Sequence, residues 1–183
     1  MGFFIFLGLI MLLVLWVIGM YNGLVRSRIQ VKNAWSQIDV QLKRRHDLIP
    51  NLVETAKGYM KHERETLESI TKARTQAMQA QGVAESAKAE GELSEALKRF
   101  MLVVENYPDL KASQNFLALQ EELATTENKV GFARQFYNDQ VMQYNTKIQS
   151  VPTNLIANMF GFKPSEFFQI EVAAEREAPQ VKF

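Results

Sequence analysis

FFIFLGLIMLLVLWVIGMY, running from Phe3 to Tyr21, decides how the rest of the chain is read. No charged side chain occurs between Met1 and Val25. Nineteen helical residues rise about 28 Å, close to the roughly 30 Å hydrocarbon thickness of a bilayer. Trp16 and Tyr21 lie toward one end, where rings with an apolar body and a polar tip favour the headgroup zone. A cleaved signal peptide needs a positive start, a shorter apolar run and a small-residue cleavage site, and none is present. A buried core helix suits a run this long and uniformly apolar even less. The start MGFFIF departs from the myristoylation pattern, because Phe6 stands where Ser or Thr is needed. Residues 1–25 are therefore expected to form an uncleaved transmembrane anchor, with Phe3, Leu9, Leu13, Trp16 and Tyr21 as its apolar and interfacial side chains.

Arg26, Arg28 and Lys32 follow the run, and only the terminal amine precedes it. The positive-inside rule then places the following domain in the cytoplasm and the N-terminus outside. Three residues carry that bias, so the periplasmic side stays open.

With 183 residues, the chain has room for an anchor plus one domain of roughly 150 residues, enough to bury a core without metal or disulfide help. Lys and Arg number 21 against 20 Asp and Glu, so no polyanion partner is implied. A nucleic-acid partner is not expected, since no basic stripe with interleaved aromatics occurs. The absence of cysteine excludes thiol nucleophiles and Cys-based zinc sites, and says nothing about compartment.

Beyond the anchor, apolar residues recur every three to four positions. Leu24, Val31, Trp35, Ile38, Leu42, Ile49, Leu52, Ala56 and Tyr59 make one stripe, and Leu67, Ile70, Ala73 and Ala77 extend it. Pro50 interrupts this segment, but the apolar phase passes through without a slip, which favours a kinked continuous helix over a hairpin. The small-residue stretch Ala80–Leu93, with Gly82 and Gly91, is where a chain reversal is expected. A second helix carries Leu93, Leu97, Phe100, Val104 and Tyr107 and stops before Pro108. A third runs from Phe116 through Leu119, Leu123, Val130, Ala133, Tyr137, Val141 and Tyr144 to Ile148, and Pro152 closes it. Short connections imply antiparallel neighbours, so residues 26–150 are expected to be an elongated antiparallel bundle of three to four long helices in an all-α fold. Residues 151–183 change character. Leu155–Phe168 is rich in aromatics and is expected to fold over an open bundle end; the alternative is an exposed docking surface for lipid or another subunit, with Phe160, Phe162, Phe167 and Phe168. VAAEREAPQVKF reads as a charged tail.

Chemistry finds little purchase. His46 and His62 are the two histidines; Lys43 and Tyr59 stand where a di-iron Glu-x-x-His motif needs Glu. His62-Glu63 lacks the second histidine of a zincin, and no phosphate-binding Gly-rich loop or nucleophile elbow occurs. No enzyme activity, cofactor or metal is expected. The dense cluster Lys43–Asp47 reads as a solvated face, part of it pairing with acids such as Glu121, Glu122, Glu127 and Asp139 on a neighbouring helix. Glu127 and Arg134, two turns apart, suit an inter-helix polar seam that sets register.

Three stretches together resemble the LemA family of bacterial membrane proteins. They are YNGLVRSRIQVKNAWSQIDVQLKRRHDLIPNLVETAKGYMKHE, the run from YPDLKASQNFLALQEELATTENKVGFARQFYN to NMFGFKP, and the closing EREAP. The resemblance covers nearly everything from Tyr21 onward, with Ala80–Leu93 generic. It implies a membrane span followed by an elongated helical bundle, placed in the bacterial inner membrane as a single-pass protein. His46, Asp47, Pro50, Asn51, Glu121, Glu122, Glu127, Asn128, Arg134, Tyr137 and Asn138 match the family pattern and are taken as bundle-defining. No catalytic role comes with the family. One branch is associated with building magnetosome membranes, which implies membrane organisation. The expected role is a self-associating scaffold with the lipid bilayer and further copies of itself as partners; an adaptor for a second membrane protein, such as a protease or transporter, is the alternative.

Overall fold

The structure, a computed structural model, describes residues 1–169; the charged tail expected at Val172–Phe183 lies outside the described residues. Those residues form α1 (Gly2–Lys57), α2 (Arg64–Gln79), α3 (Val83–Val104), α4 (Pro108–Lys111), α5 (Gln114–Gln149) and α6 (Thr153–Met159), with no strand among them. The fold is all-α. Two compact units divide the described residues: Met1–Ile38 with Ala133–Phe167, and Asp39–Phe132 with Phe168 and Gln169.

The first unit holds the start of α1, the end of α5, and α6 with the segment after it. The apolar run in α1 is long and apolar enough to cross a membrane, and none of its most apolar window is buried in the protein. Further along α1, Leu24, Val31, Ala34 and Ile38 turn inward, as do Tyr137, Val141, Tyr144 and Ile148 of α5. Lys147 Nζ donates to Ser27 Oγ at 2.6 Å, and the Trp35 and Tyr137 rings meet edge-on at 5.5 Å. Later residues of α1 thus meet earlier residues of α5, which makes the two helices antiparallel here. The expected apolar phase of α5 holds except at Leu119 and Ala133, which are half-buried.

The second unit is built on one hydrophobic cluster from the end of α1, α2, α3, α4 and the start of α5. It includes Ile49, Leu52, Ile70, Leu93, Phe100, Leu110 and Phe116. Burying a residue of this size contributes about 1.5–3 kcal/mol each relative to exposure. Ala73 and Ala77 of α2 and Ala87, Ala89 and Gly91 of α3 are buried small residues, so these two helices can pack closely. α1 passes through Pro50 without a break, as its uninterrupted stripe requires.

One expectation needs correction. The stripe does not extend smoothly from Ala56 to Leu67, because α1 ends at Lys57 and the chain turns back over Gly58–Glu63. The amides of Tyr59 and Met60 both close on the Ala56 carbonyl, Met60 plugs the core at 1% exposure, and Tyr59 faces solvent. A second break follows at Ala80–Gly82, within the stretch expected to reverse, while Val83–Leu93 already belongs to α3. Gly82 supplies the φ of 82° that starts α3. The connection PDLKASQN contains the single-turn α4, opened by Pro108 at its first turn.

Candidate functional site

Helix α1 brings Arg44, Arg45 and His46 around successive positions of one turn, so their side chains leave in different directions. Arg44 stays in solvent and pairs with Glu122 of α5 at 2.7 Å. Arg45 and His46 depart from the expected solvated face: they are 2% and 8% exposed. Burying a guanidinium is tolerated only where acceptors surround it, and α3 and α5 supply them. Arg45 Nη1 reaches Glu90 Oε2 at 3.2 Å, Nη2 donates to Ser94 Oγ at 2.8 Å, and Nη2 lies 3.2 Å from Glu127 Oε2. Ser94 passes the bond on to the Glu90 carbonyl at 3.0 Å. The second Glu90 oxygen lies 2.6 Å from His46 Nε2. A carboxylate held by a guanidinium only accepts, so the imidazole donates from Nε2. Glu90, itself 1% exposed, therefore bridges both buried basic side chains.

The cluster ties α1, α3 and α5 together at one level. A buried ion pair of this kind adds little net stability over an apolar core, but fixes which residues face each other. Arg45 Nε finds no partner among the described residues. Beside it lies a groove of about 640 Å³ with Leu97, Met101, Leu102, Leu123 and Ala124 along it and Arg45, Ser94 and Glu127 at its wall. Among the described residues, no three His, Asp or Glu side chains are grouped to hold a metal ion.

Of the other residues singled out from sequence, Asp47, Pro50, Asn51, Glu121 and Asn128 are exposed, and Arg134 and Asn138 are half-buried. Thr126, wholly buried, was not anticipated; its hydroxyl returns to the Glu122 carbonyl at 2.8 Å. Glu90 was missed as well, although it lies three residues before Leu93 and seven before Leu97, in phase with their apolar stripe. A carboxylate in that phase is the signal that could have found it.

In the first unit the segment after α6 is bound by side chains of α5. Tyr137 Oη donates to the Glu166 carbonyl at 2.8 Å and Tyr144 Oη to the Lys163 carbonyl at 3.0 Å. Asn145 pairs with both the amide and the carbonyl of Ser165 at 2.9 Å, as a neighbouring strand would. Burial, aided by the nearby Glu166 carboxylate, pushes the Tyr137 hydroxyl up to about 12. Burial also raises Tyr144, against the opposing pull of Arg28. Phe162 and Phe168 are buried, whereas Phe160 and Phe167 remain exposed. The Phe162 ring packs 5.7 Å from Tyr21, with the Arg28 guanidinium 5.0 Å over its face. Of the anchor residues, Phe3, Leu9, Leu13 and Trp16 are all exposed and Tyr21 is half-buried.

An apolar N-terminal helix leading into antiparallel helices that share a buried Arg–His–Glu cluster defines an all-α protein with a candidate membrane span. The chain belongs to the LemA family, whose sequence profile matches residues 34–183. It is similar to Protein LemA of Metamycoplasma hominis, 28% identical over 162 residues that cover 85% of this chain and 74% of that one. It is also similar to Magnetosome protein MamQ 2 of Paramagnetospirillum magneticum, 33% identical over 87 residues. Magnetosome protein MamQ of Magnetospirillum gryphiswaldense matches over 87 residues at 29% identity. Those two matches cover 48% of this chain and 32% of each magnetosome protein.

Proposed function

We propose that this chain is a non-enzymatic, membrane-anchored scaffold whose copies associate side by side and organise a patch of the bacterial inner membrane. The observation that carries the reading is on α5, where Phe132 is 73% exposed and Phe136 44%, one turn apart. The same helix buries Phe116, Tyr137 and Tyr144, so its sequence distinguishes inner from outer aromatics. Large exposed aromatics favour protein contact, and aromatic residues anchor interfaces more often than other types. Copies held in one plane by α1 would meet through such faces repeatedly. The unburied apolar run supports the membrane anchor, and the similarity to proteins named for magnetosomes supports a role in organising membrane.

Light scattering and electron microscopy of the gently solubilised full chain test this. A large, symmetric particle that shrinks on Phe132→Ser with Phe136→Ser is the expected result, and a monomer or dimer would overturn it. The cationic Arg26, Arg28 and Lys32 support a cytoplasmic domain. Protease added to intact spheroplasts should leave that domain whole; its digestion reverses the orientation.

One observation favours an adaptor as the second reading. The groove between α3 and α5 is mostly apolar with a buried arginine at its wall, a shape that accepts a partner's helix. A defined protein co-purifying in fixed ratio with a monomeric chain would select it.

A further inference from the structure

The helix that follows α5 leaves an apolar face uncovered. Ile156 and Ala157 of α6 are buried, while Leu155 and Met159, four residues apart on the helix, are 64% and 73% exposed, and Val151 in the turn before α6 is 80% exposed. Phe160 continues the face at 53% exposure. The position of this face along α1 is fixed at both ends. Lys147 near the end of α5 bonds Ser27, and the Phe160 ring sits edge-on at 4.8 Å from Tyr21. Residues 150–160 therefore stand beside the stretch of α1 from Tyr21 to Ser27, about 9 Å of helix. Tyr21 is also where the apolar run ends.

We infer that α6, with the residues flanking it, is a second membrane contact, lying in the headgroup–acyl boundary with Val151, Leu155, Met159 and Phe160 immersed beside the emerging span. This rests on reading the apolar run of α1 as a membrane span. Continuity is the first argument: the uncovered face adjoins the lipid-facing surface of α1 through the Tyr21–Phe160 contact, so one apolar surface passes from span to α6. Charge is the second. Outside the span, the unit made of Met1–Ile38 and Ala133–Phe167 carries six Lys and Arg side chains against two carboxylates, Asp139 and Glu166. A short helix with an apolar face and a cationic surround binds anionic lipid surfaces. Phe160 and Tyr21 then share the aromatic belt expected at that depth.

Because the chain has no cysteine, single substitutions can be spin-labelled without background. Full-length Leu155→Cys and Met159→Cys, reconstituted in phosphatidylcholine–phosphatidylglycerol vesicles, are compared with Leu9→Cys in the span and Gln143→Cys on the exposed side of α5. The ratio of oxygen to aqueous nickel collision should be highest at Leu9. At Leu155 and Met159 it should rise several-fold above that at Gln143. Ratios at Leu155 and Met159 equal to that at Gln143, with Leu9 still shielded, overturn the α6 contact and leave the anchor intact. A water-accessible Leu9 overturns both. Shielding from both reagents with spin–spin broadening that unlabelled chain dilutes away assigns the face to a second copy, and the lipid contact falls.

Discussion

Arg74 donates from Nε to the backbone carbonyl of His46 at 2.7 Å. In a regular helix that carbonyl accepts from the amide four residues on. That residue is Pro50, which has no N–H to give. The guanidinium of α2 thus occupies the acceptor that the proline leaves vacant, and it does so from the neighbouring helix that runs back along α1. The proline's missing bond becomes a tertiary contact, and α1 stays continuous through it.

Arg74→Leu should therefore destabilise by about 1–3 kcal/mol, the range for a buried acceptor deprived of its donor. Pro50→Ala restores an amide and should recover most of that loss in the Arg74→Leu background. Urea midpoints in detergent, followed by circular dichroism across the double-mutant cycle, measure the coupling. Strictly additive effects would show that the two residues do not share the His46 carbonyl.

The Glu90 bridge makes the next prediction. Glu90→Leu leaves Arg45 and His46 buried beside a hydrocarbon, and a loss of about 3–5 kcal/mol is expected. Replacing Arg45, His46 and Glu90 together by Leu should recover much of it, because an apolar core of similar volume serves as well for stability. The same denaturation experiment reads both. A triple variant as unstable as Glu90→Leu would mean that the cluster supplies net stability and more than register.

How far the sequence discloses this arrangement depends on the signal each part leaves. The apolar run and the phase of α5 are periodic over many residues, and the ends of α5 fall within two residues of Phe116 and Ile148, the ends of the expected stripe. The turn after Lys57 is hidden, since Met60 keeps the core filled while the chain reverses, and a stripe counted by residue cannot register a change of direction. RRHDLIPN shows its charge but not its burial. What makes Arg45 internal is Glu90, from a stretch whose Ala and Gly composition carries little pattern. The Arg74 contact is beyond sequence reading altogether, because it joins a side chain to a backbone atom 28 residues away.

Gly82 has φ 82° and ψ 170°, a combination that residues with a Cβ essentially never adopt. A Cβ placed there would meet nothing within 4 Å. The cost of Gly82→Ala is thus conformational alone, about 1–3 kcal/mol. Asn rescues left-handed helical positions but not this extended region, so Gly82→Asn should do no better than Gly82→Ala. Thermal melts of the two variants check this, and a clear advantage for Asn would place the backbone in the left-handed helical region instead.

Tyr137 predicts a dependence on alkaline pH. Its hydroxyl, raised to about 12 by burial and by Glu166, ionises near 10 in the unfolded chain. Below pH 10 both states hold the proton, and the hydroxyl's contribution is fully present. Between about 10 and 12 the unfolded chain releases its proton while the folded chain keeps it, so stability falls as pH rises. Solvent screening trims the effect to about 1–2 kcal/mol over that window. Tyr137→Phe loses the bond to the Glu166 carbonyl, so it should be less stable at pH 9 by about 1 kcal/mol. Its stability should then fall less steeply toward pH 12, the remaining slope including that of Tyr144, which burial also raises. Unfolding midpoints at pH 9, 10.5 and 12 separate the cases: parallel declines for the two proteins would mean that the Tyr137 hydroxyl ionises alike in both states, and that its burial against the segment after α6 does not hold in solution.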